Sequence, residues 1–90
     1  DVYKRQLSKR LGYTEYYFSH KFKKEIGISI ADFIKQVKLE KAKLLLSATT
    51  MNIQEISDEL AFGSRSYFSS SFQKAFGMSP SDYRNKNTKL

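Results

Sequence analysis

Apolar side chains recur along this chain at spacings of three and four residues, in short blocks separated by turn formers. Phe68, Phe72 and Phe76 make the clearest block, a single stripe at helical period. Ser64 before it suits an N-cap, and Gly77 after it suits a left-handed helix end. The pattern therefore predicts a helix over 65–76. Ser79, Pro80 and Asp82 read as a cap, a first-turn proline and an acid near the capping-box position. They predict a further helix to about Asn85, with Tyr83 turned inward. The face opposite the phenylalanines carries Arg65, Ser66, Ser69, Ser70 and Gln73, all polar or small. Ser69 to Ser71 are expected to let this helix lie deep in a groove.

The same block occurs earlier in the chain. FSHKFKKEIGISIADF (18–33) overlays FSSSFQKAFGMSPSDY (68–83) at an offset of 50 residues. LSKRLGY (7–13) overlays ISDELAF (56–62) at an offset of 49, so the extra residue falls in the turn. Repetition at this period means that one supersecondary unit is used twice.

In chain order, a short helix is expected from about Lys4 to Leu11, with Leu7 and Leu11 on one face. Gly12 and Tyr13 turn, and Thr14 caps a helix to about Ile26. Its buried stripe is Phe18, Phe22 and Ile26, with Tyr17 at the margin and Tyr16, Ser19, His20 and Lys23 outward. Gly27 ends it. Ser29 and Asp32 open the longest helix, to about Ser47, whose expected apolar face is Phe33, Val37, Leu44 and Leu45, with Ala42 and Leu46 beside it. Asn52 to Glu55 form a capping box. Ile53, Ile56 and Leu60 point inward from a helix reaching Ala61, and Phe62 and Gly63 turn the chain. The fold class is all-α. Two copies of helix, short turn, helix, an incomplete one over 7–29 and one over 52–85, flank a helix over 30–47. At 1.5 Å per residue it is about 27 Å long, enough to hold two lobes at a fixed separation, and the pattern equally allows an ordinary amphipathic helix in one compact core. Residues 86–90 are expected to be a basic, frayed tail. Residues 1–6 supply neither the cap nor the apolar partner found at the matching positions of the second copy. DVYKRQ also coincides with the translation of a transposase adapter used in sequencing libraries. These six residues are expected to be non-native, and the chain to be a fragment lacking a native N-terminal part.

Composition sharpens the picture. Ninety residues support one small domain or two half-sized lobes, and seven Phe and six Tyr carry the core in place of Trp. With no Cys there is no disulfide framework, thiolate zinc site or thiol nucleophile. No apolar run approaches the roughly 20 residues of a membrane span, and no signal peptide is visible. A net charge of +7 on so short a chain attracts polyanions. The charge is uneven: residues 1–49 hold eleven Lys or Arg against five acids, and residues 50–90 hold five against four. An enzyme is not expected. There is one His, no glycine-rich phosphate loop, and no carboxylate cluster beyond the single short helix bearing Glu55, Asp58 and Glu59. Phe18, Phe22, Phe68 and Phe72 read as core rather than as a stacking platform for single strands, because their spacing is that of amphipathic helices.

Leu39-Glu40-Lys41-Ala42, Leu45-Leu46, Ile53 with Ile56, Ala61-Phe62, Tyr67-Phe68, Phe72, Gly77, Ser79-Pro80 and Tyr83-Arg84, together with the repeat, resemble the DNA-binding domain of the AraC/XylS transcription regulators. The resemblance covers roughly 7–84. It departs in lacking the family's first helix, which packs on the first lobe, at Lys38, where the family usually has Arg, at Lys21, where an apolar residue is common, and at Ser57, where Ala is usual. The resemblance implies two homeodomain-like helix-turn-helix lobes. Their recognition helices, about 14–26 and 65–76, enter successive major grooves of double-stranded promoter or operator DNA. Base reading is then expected from Tyr16, Ser19, His20, Arg65, Ser66, Ser69 and Ser70. Phosphate contact is expected from Lys23, Lys24, Lys74 and Arg84. No cofactor or metal is implied. A bacterial cytoplasmic location, contact with RNA polymerase and an effector bound by an N-terminal domain follow from the same resemblance. Two alternatives remain at this point: a protein-interaction helical module, or the DNA-binding part of a receiver-linked or repair protein.

Overall fold

Helix caps and aromatic spacing set where each element begins and ends in the computed structural model, which describes residues 2–10 and 15–87. Its helices are α1 (Val2–Arg10), α2 (Glu15–Ile26), α3 (Ile30–Ala48), α4 (Ile53–Glu59), α5 (Arg65–Phe76) and α6 (Pro80–Asn87). The expected turn at Gly12 and Tyr13, the Thr14 cap, the place of Leu11 and the last three residues of the tail lie outside the described residues. The chain divides into two units, 1–37 and 38–90, with the boundary inside α3. Helix α1 begins at Val2 rather than Lys4, and α6 runs on to Asn87, where Nδ2 donates to the Tyr83 carbonyl at 2.7 Å.

In the second unit the capping box forms as read. The Glu55 N–H donates to Asn52 Oδ1 at 2.8 Å, and the Asn52 N–H donates to Glu55 Oε1 at 2.9 Å. Together they satisfy backbone donors that the first turn of a helix leaves open. Helix α4 stops at Glu59, two residues early, because Ala61 takes a left-handed φ of 57°. Gly63 follows with φ 89°, where a residue without Cβ avoids strain. The Lys38 ammonium donates to the Ala61 carbonyl at 3.3 Å and lies 5.7 Å from the Phe62 ring centre, so α3 braces this turn. Ser57 is fully buried. Its hydroxyl donates to the Ser64 carbonyl at 3.0 Å, which accounts for a polar side chain where the related pattern has Ala. Ser64 caps α5 by accepting from the Tyr67 N–H, and Gly77 ends it with φ 79°.

The core of this unit gathers Leu39, Ala42, Leu46, Ile53, Ile56, Leu60, Phe62, Phe68 and Phe72, with Leu45, Met51, Phe76 and Tyr83 packed against it. The first unit buries Phe18, Ile30 and Ile34, with Phe22 against them. The repeat extends to ring geometry. Phe22 meets Phe33 at 5.4 Å and 64°, and their counterparts Phe72 and Tyr83 meet at 5.6 Å and 70°.

Three apolar expectations are corrected. Ile26 does not join a buried stripe and is 57% exposed. Its counterpart Phe76 is large enough to pack edge-on against Phe72 at 4.7 Å and to lie under the Lys43 ammonium, contacts an isoleucine at the last helical residue lacks. Leu7, opposite the buried Ile56 in the repeat, remains 36% exposed. On α3, Phe33, Val37 and Leu44 are exposed, and Leu45 is only partly buried. The buried residues are Ile30 and Ile34 in the first unit and Leu39, Ala42 and Leu46 in the second. A single stripe assumes one partner along the whole helix, whereas α3 serves two cores with two separate sets.

Candidate nucleic-acid interface

Burying Phe18 and packing Phe22 beside it on one side of α2 leaves its polar residues on the other. Tyr16, His20, Lys23 and Lys24 are exposed and Ser19 is half-buried. All five line one open cleft of about 440 Å³, closed on the far side by Ser29, Ile30 and Ala31 at the start of α3. The structure thus brings together every residue the sequence nominated on this helix. The Tyr16 and His20 rings stack, with centres 5.8 Å apart and planes 17° apart. Lys23 and Lys24 occupy the last turn, where cations complement the helix dipole.

On α5 the same logic exposes Arg65, Ser66 and Ser70 and leaves Ser69 half-buried, opposite fully buried Phe68 and Phe72. Ser71 is corrected: it faces the core and is buried, so the small outer surface ends at Ser70. The Ser70 hydroxyl donates to the Tyr67 carbonyl at 3.3 Å. Lys74 is exposed in the last turn. Arg65 lines a second cleft, of about 380 Å³, with Asn52, Ile53, Gln54, Ser81, Arg84 and Asn85.

Arg84, named for phosphate contact, makes hydrogen bonds within the fold. Its Nε donates to the Leu46 carbonyl at 3.0 Å and its Nη2 to the Thr49 carbonyl at 3.4 Å. A helix leaves its last carbonyls without intrahelical partners, and a guanidinium there satisfies them and complements the dipole. Arg84 therefore ties α6 to the end of α3. Replacing it with methionine is expected to cost about 1.5 kcal/mol of stability, the lower range for hydrogen bonds to a charged group. The salt dependence of DNA binding is expected to stay unchanged. Thermal melts and a salt series check both points; an unaltered melt with a salt slope shallower by about one would make Arg84 a phosphate contact instead.

Sequence reasoning missed Arg84's contacts and those of two lysines on α3. Lys38 braces the turn at Ala61, and Lys43 meets Glu40 at 3.4 Å and the Phe76 ring at 4.4 Å. The charge balance changes accordingly. Counted by structural unit, residues 1–37 hold eight Lys or Arg against four acids, and residues 38–90 hold eight against five. Both units are basic to a similar degree. Among the described residues no helix is long and apolar enough to cross a membrane, and no cluster of His, Asp or Glu could hold a metal ion.

Two helix pairs, each holding the polar face of its second helix clear of an aromatic core, define a helix-turn-helix module. The model of the helix-turn-helix domain family matches residues 7–86. By sequence the chain is similar to the xylose operon regulatory protein of Escherichia coli (strain K12), 38% identical over 85 residues, covering 94% of this chain and 22% of that protein. Among solved structures it is similar to the C-terminal domain of AraT, a response regulator from Geobacillus stearothermophilus. That likeness has a TM-score of 0.83 at 32% identity and covers 97% of this chain and 72% of that one. The C-terminal domain of the two-component response regulator yesN from Fusobacterium nucleatum is similar at a TM-score of 0.77 and 37% identity, covering 90% and 79%. The chain belongs to the helix-turn-helix family of AraC-type transcription regulators, as a DNA-binding domain. Sequence-specific DNA binding in the regulation of transcription is the function of that family, which is one of regulators rather than enzymes. The chain spans about a fifth of the xylose regulator's length.

Proposed function

We propose that the two units read one DNA site together, each laying its outer helix, α2 or α5, in a major groove. The observation that carries this is the repeated arrangement of an exposed polar helix face over a buried phenylalanine, Phe18 or Phe68, with a second packed one turn on, present in both units with lysine in the last turn. Tyr16, Ser19 and His20 in one unit, and Arg65, Ser66, Ser69 and Ser70 in the other, contact base edges. Lys23, Lys24 and Lys74 contact phosphates and fix the register. The small side chains at 66, 69 and 70 permit close approach of the α5 backbone. Arg65 suits the O6 and N7 of guanine.

The domains follow as a first reading lobe over 7–29, a shared helix over 30–47 and a second lobe over 52–85. In the longer protein this domain acts as the output, in the cytoplasm of a bacterium, and touches RNA polymerase from its promoter site. Similarity to a sugar-operon regulator supports control by a small-molecule effector bound elsewhere in that protein. Similarity to two response regulators supports a second reading, control by a receiver domain.

The test is a salt titration of the 90-residue chain with a duplex and with the single strand of the same sequence. Duplex affinity is expected to exceed that for the single strand at every salt and to fall linearly on a log–log scale, with a slope of about −0.9 per phosphate contact. Equal affinity for both forms would contradict groove reading.

A further inference from the structure

Tyr16 and His20 stand four residues apart on the outer face of α2, and the repeat places Ser66 and Ser70 at the matching positions of α5. Both copies keep their core rings, Phe18 with Phe68 and Phe22 with Phe72. The fold therefore requires aromatic rings at those core positions and does not require them at 16 and 20. Tyr16 keeps 79% of its surface exposed, so burial does not explain its ring. The two rings nevertheless lie nearly parallel, 5.8 Å between centres and 17° between planes, a favoured aromatic arrangement. Both line the cleft that also takes in Ser19, Lys23 and Lys24.

An exposed side chain samples several rotamers and gives up that freedom when a ligand fixes it. Stacking on Tyr16 withdraws part of that freedom from His20 in advance. The offset, near-parallel contact lies beside the imidazole, whose edge bears the two nitrogens. An imidazole N–H is a donor, and the N7 of a purine is an acceptor presented in the major groove.

We infer that Tyr16 is a positioning residue for His20, and that the stacked pair acts as one element reading a purine edge in the first unit's half of the DNA site. This rests on the DNA reading proposed above. Tyr16 contributes to the reading of this purine through the orientation of His20.

The test uses the 90-residue chain and a duplex enriched by the unaltered chain from a random pool. Affinity is measured for Tyr16→Ala, His20→Ala, their double variant and Tyr16→Phe, and the selection is repeated with each. Each alanine variant is expected to weaken binding about tenfold, a modest base contact, and the double also about tenfold. Independent contacts would multiply to about a hundredfold. Both singles are expected to relax preference at the same purine, while Tyr16→Phe, which keeps the ring, retains affinity and preference. Multiplied losses, or relaxation at different base pairs, would overturn the pairing while leaving DNA reading intact. A Tyr16→Ala variant with a lower melting temperature and unchanged base preference would make Tyr16 a helix stabiliser and overturn it equally. If the unaltered chain enriches no duplex, the DNA reading fails and this inference fails with it.

Discussion

Phe68→Ala is expected to unfold the second unit. Phe68 is fully buried, with ring centres 5.0 Å from Phe62 and 6.0 Å from Phe72. Truncating a buried phenylalanine costs about 3–5 kcal/mol, from lost transfer energy and the cavity left behind. Small domains hold only about 5–15 kcal/mol in total, and a unit of this size falls at the low end. The loss is therefore comparable to the whole stability of the unit. Each kcal/mol moves the midpoint of a domain of this size by about 4–8 °C. Circular dichroism is expected to show the transition lowered by roughly 15–30 °C, or absent. An unchanged melting temperature would remove Phe68 from the core and leave α5 without its anchor.

Arg65→Ala is expected to weaken binding to the selected duplex by about 1–3 kcal/mol while relaxing preference at one base pair. Arg65 is exposed at the first residue of α5, and the melting temperature is expected to move little. The repeat of the selection with the variant carries the decision. If affinity falls equally for every sequence and the salt slope drops by about one, Arg65 is a phosphate contact. Its place in a cleft with Gln54, Ser81 and Asn85 is what makes that comparison informative.

Much of the fold was legible in the chain because its signals are local. The capping box at Asn52, the Ser64 cap, the Gly77 stop and the phenylalanine stripe each involve residues within about one turn of one another, and each forms as read. The repeat then transferred the pattern to the first unit. What the pattern did not show depends on partners distant in sequence. Arg84 meets carbonyls 35 and 38 residues away, and Lys38 meets one 23 residues away. No spacing rule reports such contacts, so the pattern names Arg84 for phosphate contact alone. The faces of α3 failed for a related reason. Leu44, 63% exposed, fits a stripe with Phe33 and Val37 on paper, while Ala42, small and easily passed over, is fully buried. Ser71 looked like part of a polar run, yet it lies one turn from Phe68 on the same side and faces the core.

The candidate site was legible in a narrower sense. Once the phenylalanines define the inner face of α2, the outer residues follow from helical period, and all five nominated there share one cleft. The stacking of Tyr16 on His20 was not foreseen, although their spacing of four residues is the signal that would have raised it.

That two units of this chain read duplex DNA together is tested most directly by selection from a random duplex pool at rising salt, with sequencing of the retained DNA. The expected result is an enriched motif in two blocks about one helical turn apart, one relaxed by changes in α2 and the other by changes in α5. Salt-sensitive retention with no enriched motif, or no retention at low salt, would contradict it.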